Sequence, residues 1–257
     1  MLSVNDIAAW GRAHPWASAD QIEQDLLLSR AICAIADDDY LGQELAFRGG
    51  TALHKLHLPA PLRYSEDLDY VRSTGGGIGQ LTGALLDLGR GLGFEVKSRI
   101  TEYPKVYWRT LSQAGTPLRI KVEVNTHERS PALPLANVPF RVESPWWTGQ
   151  AQVRTFQLAE LIATKLRALY QRSKGRDLFD VWLALTVTGL DAEEVLAAFG
   201  PYRPVGYTSK TATANLTDKL KARDFRHDLD ELASQLPAPY EPDEAADLVI
   251  RVLLSRV

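Results

Sequence analysis

Two short stretches decide how this chain is read: Phe47-Arg-Gly-Gly-Thr-Ala-Leu53 and Arg63-Tyr-Ser-Glu-Asp-Leu-Asp69. The second lies in a run, 62–71, that alternates like a β-strand. Residues i and i+2 of a strand point to the same face, about 6.6 Å apart along the chain. Asp67 and Asp69 therefore stand side by side while Leu68 and Tyr70 face the other way. Two like charges so close raise each other's pKa unless a cation neutralises them. Hard divalent cations do this with oxygen ligands, and Mg²⁺ suits two carboxylates plus substrate phosphates. A pair of such ions clamps the attacking and the leaving oxygen of a phosphoryl transfer. In the first stretch, paired glycines let backbone N–H groups approach a ligand. A short helix capped by Thr51 is expected to aim its positive end at the same place. Gly49, Gly50 and Thr51 thus make an anion cradle about one hairpin from a metal-binding pair. Together the two describe a nucleoside triphosphate site. The bland alternative is a tight turn followed by an exposed acidic strand face.

Working outward, 18–36 has the start signals of a helix, with Ser18 as cap and Gln21 placed for a capping box. Asp37-Asp38-Asp39, which follows it, is more simply a solvated turn than a metal site, and Cys33 a small core residue. Residues 81–92 have helical periodicity. Strands are expected at 95–101, 107–111 and 118–125, the last two joined by the turn signal Ala114-Gly115-Thr116-Pro117. Prolines 131, 134, 139 and 145, followed by Trp146-Trp147, suggest a connector wrapped on a surface. Helical patterns follow at 158–172, 178–188, 192–199, 208–221 and 243–254. The expected organisation is α+β. A mixed-sheet core with an N-terminal helix spans 1–145, an all-α domain spans 146–257, and the active site lies in the cleft between them.

Composition fits this. The 257 residues are 45% hydrophobic and 24% charged, which excludes a disordered or fibrous chain. A single cysteine excludes an internal disulfide and favours a reducing compartment. No secretory signal or membrane-spanning run is visible, so a cytoplasmic protein with no membrane partner is expected. The net charge of −3 argues against indiscriminate coating of nucleic acid but leaves room for a local basic face.

Other candidates were weighed in the same way. Glu123, in Ile120-Lys121-Val122-Glu123-Val124, is either a third metal carboxylate or the wet face of a half-buried strand. Lys165 falls within the apolar stripe Leu158, Leu161, Ile162, Leu166 and Leu169, opposite Glu160 and Arg167. It either snorkels or receives a triphosphate. Asp177 and Asp180 either complement a helix dipole or hold Lys165 or Arg176 in place. His54 and His57 are poor zinc ligands without a nearby carboxylate. Lys210, Lys219, Lys221, Arg223 and Arg226 form either a solvated face or a grip on an RNA backbone. No nucleophile elbow, Walker lysine motif or His-Glu-x-x-His is present.

The motifs 47–53 and 63–69, followed by Leu161-Ile-Ala-Thr-Lys-Leu-Arg-Ala-Leu169 and Arg172-Ser-Lys-Gly-Arg-Asp-Leu-Phe-Asp180, resemble the AbiEii/MenT family of nucleotidyltransferase toxins, within the DNA polymerase β-like superfamily. The likeness covers residues 45–185. It implies a polymerase β-like core in which Gly49, Gly50 and Thr51 hold the triphosphate and Asp67 and Asp69 the metal ions. Lys165 would bind phosphate, and Asp177 would be an essential carboxylate. It also implies a cognate antitoxin. The reaction expected is Mg²⁺-dependent transfer of a nucleotide, often a pyrimidine, to the 3′ end of tRNA, which blocks aminoacylation and translation. Glu123 is the candidate third ligand or base. Ser65, two residues before Asp67, is expected to touch the triphosphate or acceptor end, where a phosphate on its hydroxyl would act as an off-switch. A protein or small-molecule acceptor, or a catalytically inactive binding protein, is the alternative.

Overall fold

Period-two apolar patterning organises the first half of the chain into a sheet with one dry face. The strands are β1 (Leu45–Arg48), β2 (Asp67–Arg72), β3 (Glu95–Ile100), β4 (Pro104–Leu111), β5 (Pro117–Asn125), β6 (Ala136–Glu143) and β7 (Thr148–Thr155). They form one mixed sheet in the order β3-β4-β5-β2-β1-β7-β6. The β2–β5 and β1–β7 pairs are parallel and the others antiparallel. This computed structural model describes residues 2–60, 62–233 and 240–257.

The helices before and within the sheet are α1 (Val4–Gly11), α2 (Ala19–Asp37), α3 (Leu41–Glu44), α4 (Gly49–Ala52) and α5 (Gly79–Gly91), and α4 runs on into a π-helical turn, Leu53–His57. As the sequence suggests, the Ser18 hydroxyl caps α2 by accepting the Gln21 N–H at 3.2 Å. Leu26, Ile32 and Ile35 of α2 join Phe47, Leu68, Tyr70, Val106, Trp108, Ile120, Val122 and Val124 in one core. Each such side chain contributes about 1.5–3 kcal/mol relative to exposure. Helix α5 approaches closely because Gly89 has no side chain: a Cβ there would lie 2.5 Å from Trp108 Nε1. That indole N–H donates to the Leu85 carbonyl at 3.1 Å.

The expected connector is a correction. Residues 136–143 and 148–155 form a β-hairpin, not a surface strap, so the sheet continues past 145 as far as Thr155. Pro139 misled because proline punctuates most strands. Strand β6 is the sheet edge, where alternate N–H groups face away from the ladder and proline is tolerated. Trp146 and Trp147 sit at the hairpin turn, and the Arg30 guanidinium of α2 lies 5.2 and 6.0 Å from their rings.

The chain divides into two units: Met1–Leu56, Tyr64–Pro131 and Leu135–Phe156 form one, and His57–Arg63, Ala132–Pro134 and Gln157–Val257 the other. The second is helical: α6 (Leu158–Gln171), α7 (Gly175–Val187), α8 (Ala192–Phe199), α9 (Ser209–Lys219), α10 (Arg223–Arg226) and α11 (Pro242–Val252). Its core includes Phe179 edge-on to Tyr240, with ring centroids 4.8 Å apart. Glu160, placed by periodicity on the outer face of α6, is instead fully buried. Its carboxylate accepts the N–H groups of Ala132 and Leu133 and the Tyr202 hydroxyl, so three donors offset the cost of burying it. Among the described residues no helix is long and apolar enough to cross a membrane.

Candidate active site

Strand β2 places Asp67 and Asp69 on the face opposite the core, half-buried, with Leu68 and Tyr70 buried behind them. The parallel register sets Asp67 beside Lys121 and Asp69 beside Glu123. Three carboxylates from two adjacent strands thus share one face. A cation already stands among them. Lys121 Nζ lies 2.9 Å from Asp67 Oδ2 and 3.2 Å from Glu123 Oε2, and Lys105 Nζ is 3.3 Å from the same Glu123 oxygen. Burial would lower the Lys121 pKa, but its hydrogen bond to Asp67 and the charges of Asp67, Glu123 and Asp69 outweigh it and hold the group firmly protonated. Burial, then the neighbouring Asp67 charge, pushes the Asp69 carboxyl above the usual carboxylate range. The Asp69 carboxylate is therefore poised to gain from an added cation.

The glycine turn meets this group directly. Antiparallel pairing of β1 with β2 brings Arg48 opposite Asp69, and the next residue, Gly49, has φ +82°. A Cβ at Gly49 would fall 2.6 Å from Asp69 Oδ2. Thr51 does not cap α4, as the sequence had suggested; Arg48 holds the cap position. The buried Thr51 hydroxyl instead donates to the Asp67 carbonyl at 2.5 Å and lies 2.8 Å from the Ser65 hydroxyl, tying the turn to the start of β2. Ser65 precedes β2 and is not on the strand face itself. Gly50 follows Gly49 in the first turn of α4.

The donor chemistry fits a hard cation. Asp67, Asp69 and Glu123 offer only oxygen, and the ammonium of Lys121 marks the place where positive charge is favoured. Among the described residues no three His, Cys, Asp or Glu side chains are already gathered as a cage, and Lys121 bridges Asp67 and Glu123.

Lys165 and Asp177 belong to the helical unit, in a buried ionic cluster. Lys165 Nζ lies 3.1 Å from Asp177 Oδ1 and 2.8 Å from Asp180 Oδ2. Arg172 makes two hydrogen bonds to Asp177, of 2.6 and 2.8 Å. Arg63 forms a fork on Asp180 through contacts of 2.8 and 2.7 Å. Asp177 and Asp180 thus hold Lys165, as one sequence reading proposed, but Arg176 pairs elsewhere, with Asp228. Burial alone would raise the Asp177 pKa. Lys165 and Arg172 reverse this and hold it below the usual value. Arg63 was missed as a site residue, since its only sequence signal is its place at the head of the Asp67 motif.

Several of the other candidates have local partners of their own. Asp38 accepts the N–H groups of Tyr40 and Leu41 in an ordinary turn, and the buried Cys33 thiol is pushed up to about 11 by burial. In the late basic stretch Lys219 donates to the Leu169 and Tyr170 carbonyls, Lys221 pairs with Asp218, and Arg226 pairs with Asp243.

An α+β chain whose Asp-x-Asp strand abuts a Gly-Gly turn has the makings of a nucleotidyltransferase. The sequence pattern described as "Nucleotidyl transferase AbiEii toxin, Type IV TA system" matches residues 30–249. The chain belongs to this family of nucleotidyltransferase toxins. Among solved structures it is similar to MenT4, nucleotidyltransferase toxin Rv2826c from Mycobacterium tuberculosis H37Rv, at 20% identity and TM-score 0.67, over 100% of this chain and 91% of that one. An antigenic nucleotidyltransferase-like protein from Paracoccidioides brasiliensis aligns at 18% identity and TM-score 0.41, over 84% of this chain and 94% of that one. The search of curated proteins gave no match.

Proposed function

We propose that this toxin transfers a nucleoside monophosphate, with pyrimidines preferred, from a nucleoside triphosphate to the 3′ end of tRNA, so that the tRNA can no longer be aminoacylated and translation stops. The observation that carries this reading is the face shared by Asp67, Asp69 and Glu123, with Gly49 pressed against Asp69.

In the reaction, the terminal hydroxyl oxygen of the acceptor forms a bond to the α-phosphorus. The α–β bridging bond breaks, and pyrophosphate leaves with the electron pair. Mg²⁺, when bound, supplies charge neutralisation and alignment of the phosphate oxygens. Asp67 and Asp69 would hold it, and Glu123 would be the third ligand or the acceptor of the hydroxyl proton. The turn at Gly49, Gly50 and Thr51 keeps side chains away from the phosphates, while Ser65 faces the triphosphate or the acceptor end. Lys165, steadied by Asp177, neutralises phosphate charge. Most of the rate would come from positioning and electrostatics. A cognate antitoxin restrains the activity in the cell, as the family implies.

The test incubates the purified protein with total RNA, Mg²⁺ and each α-³²P-labelled nucleoside triphosphate in turn, beside Asp69→Ala. A labelled band of tRNA size, lost in the variant, is the expected outcome. Label on protein or on a small molecule would move the acceptor elsewhere, and label on nothing would favour a binding-only protein.

A further inference from the structure

We propose that the solvent face of β5, β4 and β3 is a docking platform for the single-stranded 3′ segment of the RNA acceptor; this rests on the reading that RNA is the acceptor. The face is the one that carries Asp69 and Glu123, so it continues outward from the carboxylates. Its residues lie in three cross-strand rows. One runs Asp67, Lys121, Tyr107, Lys97; the next Asp69, Glu123, Lys105, Arg99; the third Arg119, Arg109, Glu95.

Three observations point to a polyanion with bases to stack. First, Lys97, Arg99, Arg109 and Arg119 are exposed, and none of them forms an ion pair among the described residues. Second, two of the cross-strand pairs are like-charged: Arg99 faces Lys105, and Arg109 faces Arg119. Like charges directly opposite each other destabilise a sheet, and a bound phosphate backbone relieves this. Third, the half-buried Tyr107 ring stands in the Lys121 row, which lies between the other two, with the Arg119 guanidinium 5.5 Å from its centroid. An aromatic ring beside a planar cation, among phosphate-binding cations, is the chemistry that binds single-stranded nucleic acid.

The arrangement also has a direction. Strands lie about 4.8 Å apart, so an RNA laid across β3, β4 and β5 meets cations first and the carboxylates last. Its 3′ hydroxyl would then arrive at Asp69 and Glu123. An open cleft of about 720 Å³, lined by Glu66, Glu95, Arg109, Thr110, Leu111 and Arg119, borders the third row and gives the strand room to turn.

The experiment measures binding of a 5′-fluorescein-labelled single-stranded RNA of mixed sequence by anisotropy over a range of salt concentrations. It compares the wild-type chain with Arg99→Gln/Arg109→Gln, Tyr107→Ala, Tyr107→Phe and, on the late basic stretch, Lys210→Gln/Arg223→Gln. Removing two phosphate contacts should reduce the slope of log K against log salt by about 1.4. The same change should leave Tm unchanged or higher, since both like-charged pairs are relieved. Tyr107→Ala should weaken binding roughly 5- to 150-fold, and Tyr107→Phe should restore it. Wild-type affinity and slope in the β3–β4 variants would overturn the platform, as would a loss confined to Lys210→Gln/Arg223→Gln. Transfer assays on the same variants separate this from the acceptor reading. RNA labelled with unchanged KM in the variants refutes the platform alone. RNA bound through the platform but never labelled refutes the acceptor reading alone. RNA neither bound nor labelled overturns both.

Discussion

Replacing Gly49 by alanine tests whether the glycine turn and the Asp69 carboxylate work as one unit. Two costs follow from the structure. At φ +82° an L-residue pays about 1–2 kcal/mol that glycine does not. For a chain of this size that lowers Tm by roughly 2–8 °C. The new Cβ also falls 2.6 Å from Asp69 Oδ2, inside the separation that real Cβ atoms keep, so the carboxylate has to retreat by several tenths of an ångström. Displacements approaching 1 Å in a phosphoryl-transfer site cost on the order of 100-fold in rate. Gly115, in the hairpin between β4 and β5, separates the two effects. Its φ is +83°, yet a Cβ there meets nothing within 4 Å. Gly49→Ala and Gly115→Ala should therefore lose similar thermal stability by scanning fluorimetry, while only Gly49→Ala loses most of its pyrophosphate release with RNA and nucleoside triphosphate. If the two variants keep equal activity, the contact between turn and carboxylate has no part in catalysis and the reasoning fails.

Four further outcomes are expected. Asp180→Ala removes the buried carboxylate that Arg63 grips and one of the two that hold Lys165, and should cost about 3–5 kcal/mol in urea unfolding; Arg172→Ala, whose side chain is half exposed, should cost under about 1 kcal/mol. Because Asp177 titrates below its ordinary 3.8 in the folded state, its contribution is complete above that value and disappears as pH falls through the folded pKa. The urea midpoint should accordingly drop below about pH 4, and less steeply in Asp177→Asn. Lys121→Met removes the ammonium that stands among the carboxylates and should tighten Mn²⁺ binding as measured by electron paramagnetic resonance, whereas weaker binding would show that Lys121 organises the carboxylates instead of competing for them.

The local elements were legible because their causes are local. Alternation placed Asp67 and Asp69 on one face, and Ser18 marked the start of α2. The β6–β7 hairpin was not legible. Phe140, Val142, Ala151 and Val153 do alternate, but the prolines masked a strand that only an edge position permits. Glu160 was misplaced for a related reason. Periodicity gives the face of a helix but not the donors, here on 132–133 and Tyr202, that make a buried carboxylate tolerable.

The sequence by itself determined the chemistry on offer: paired carboxylates at strand spacing, a glycine turn close by, and a lysine within an apolar helical stripe. Only the tertiary structure decided how these meet. Glu123 reaches Asp69, and Lys121 reaches Asp67, because β2 and β5 pair in parallel across an excursion through α5, β3 and β4. That register is set by which apolar residues fill the core, not by any local spacing. Arg63 finds Asp180 from 117 residues away, and Asp177 and Asp180 receive Lys165, since charges excluded from water must find partners wherever the fold supplies them.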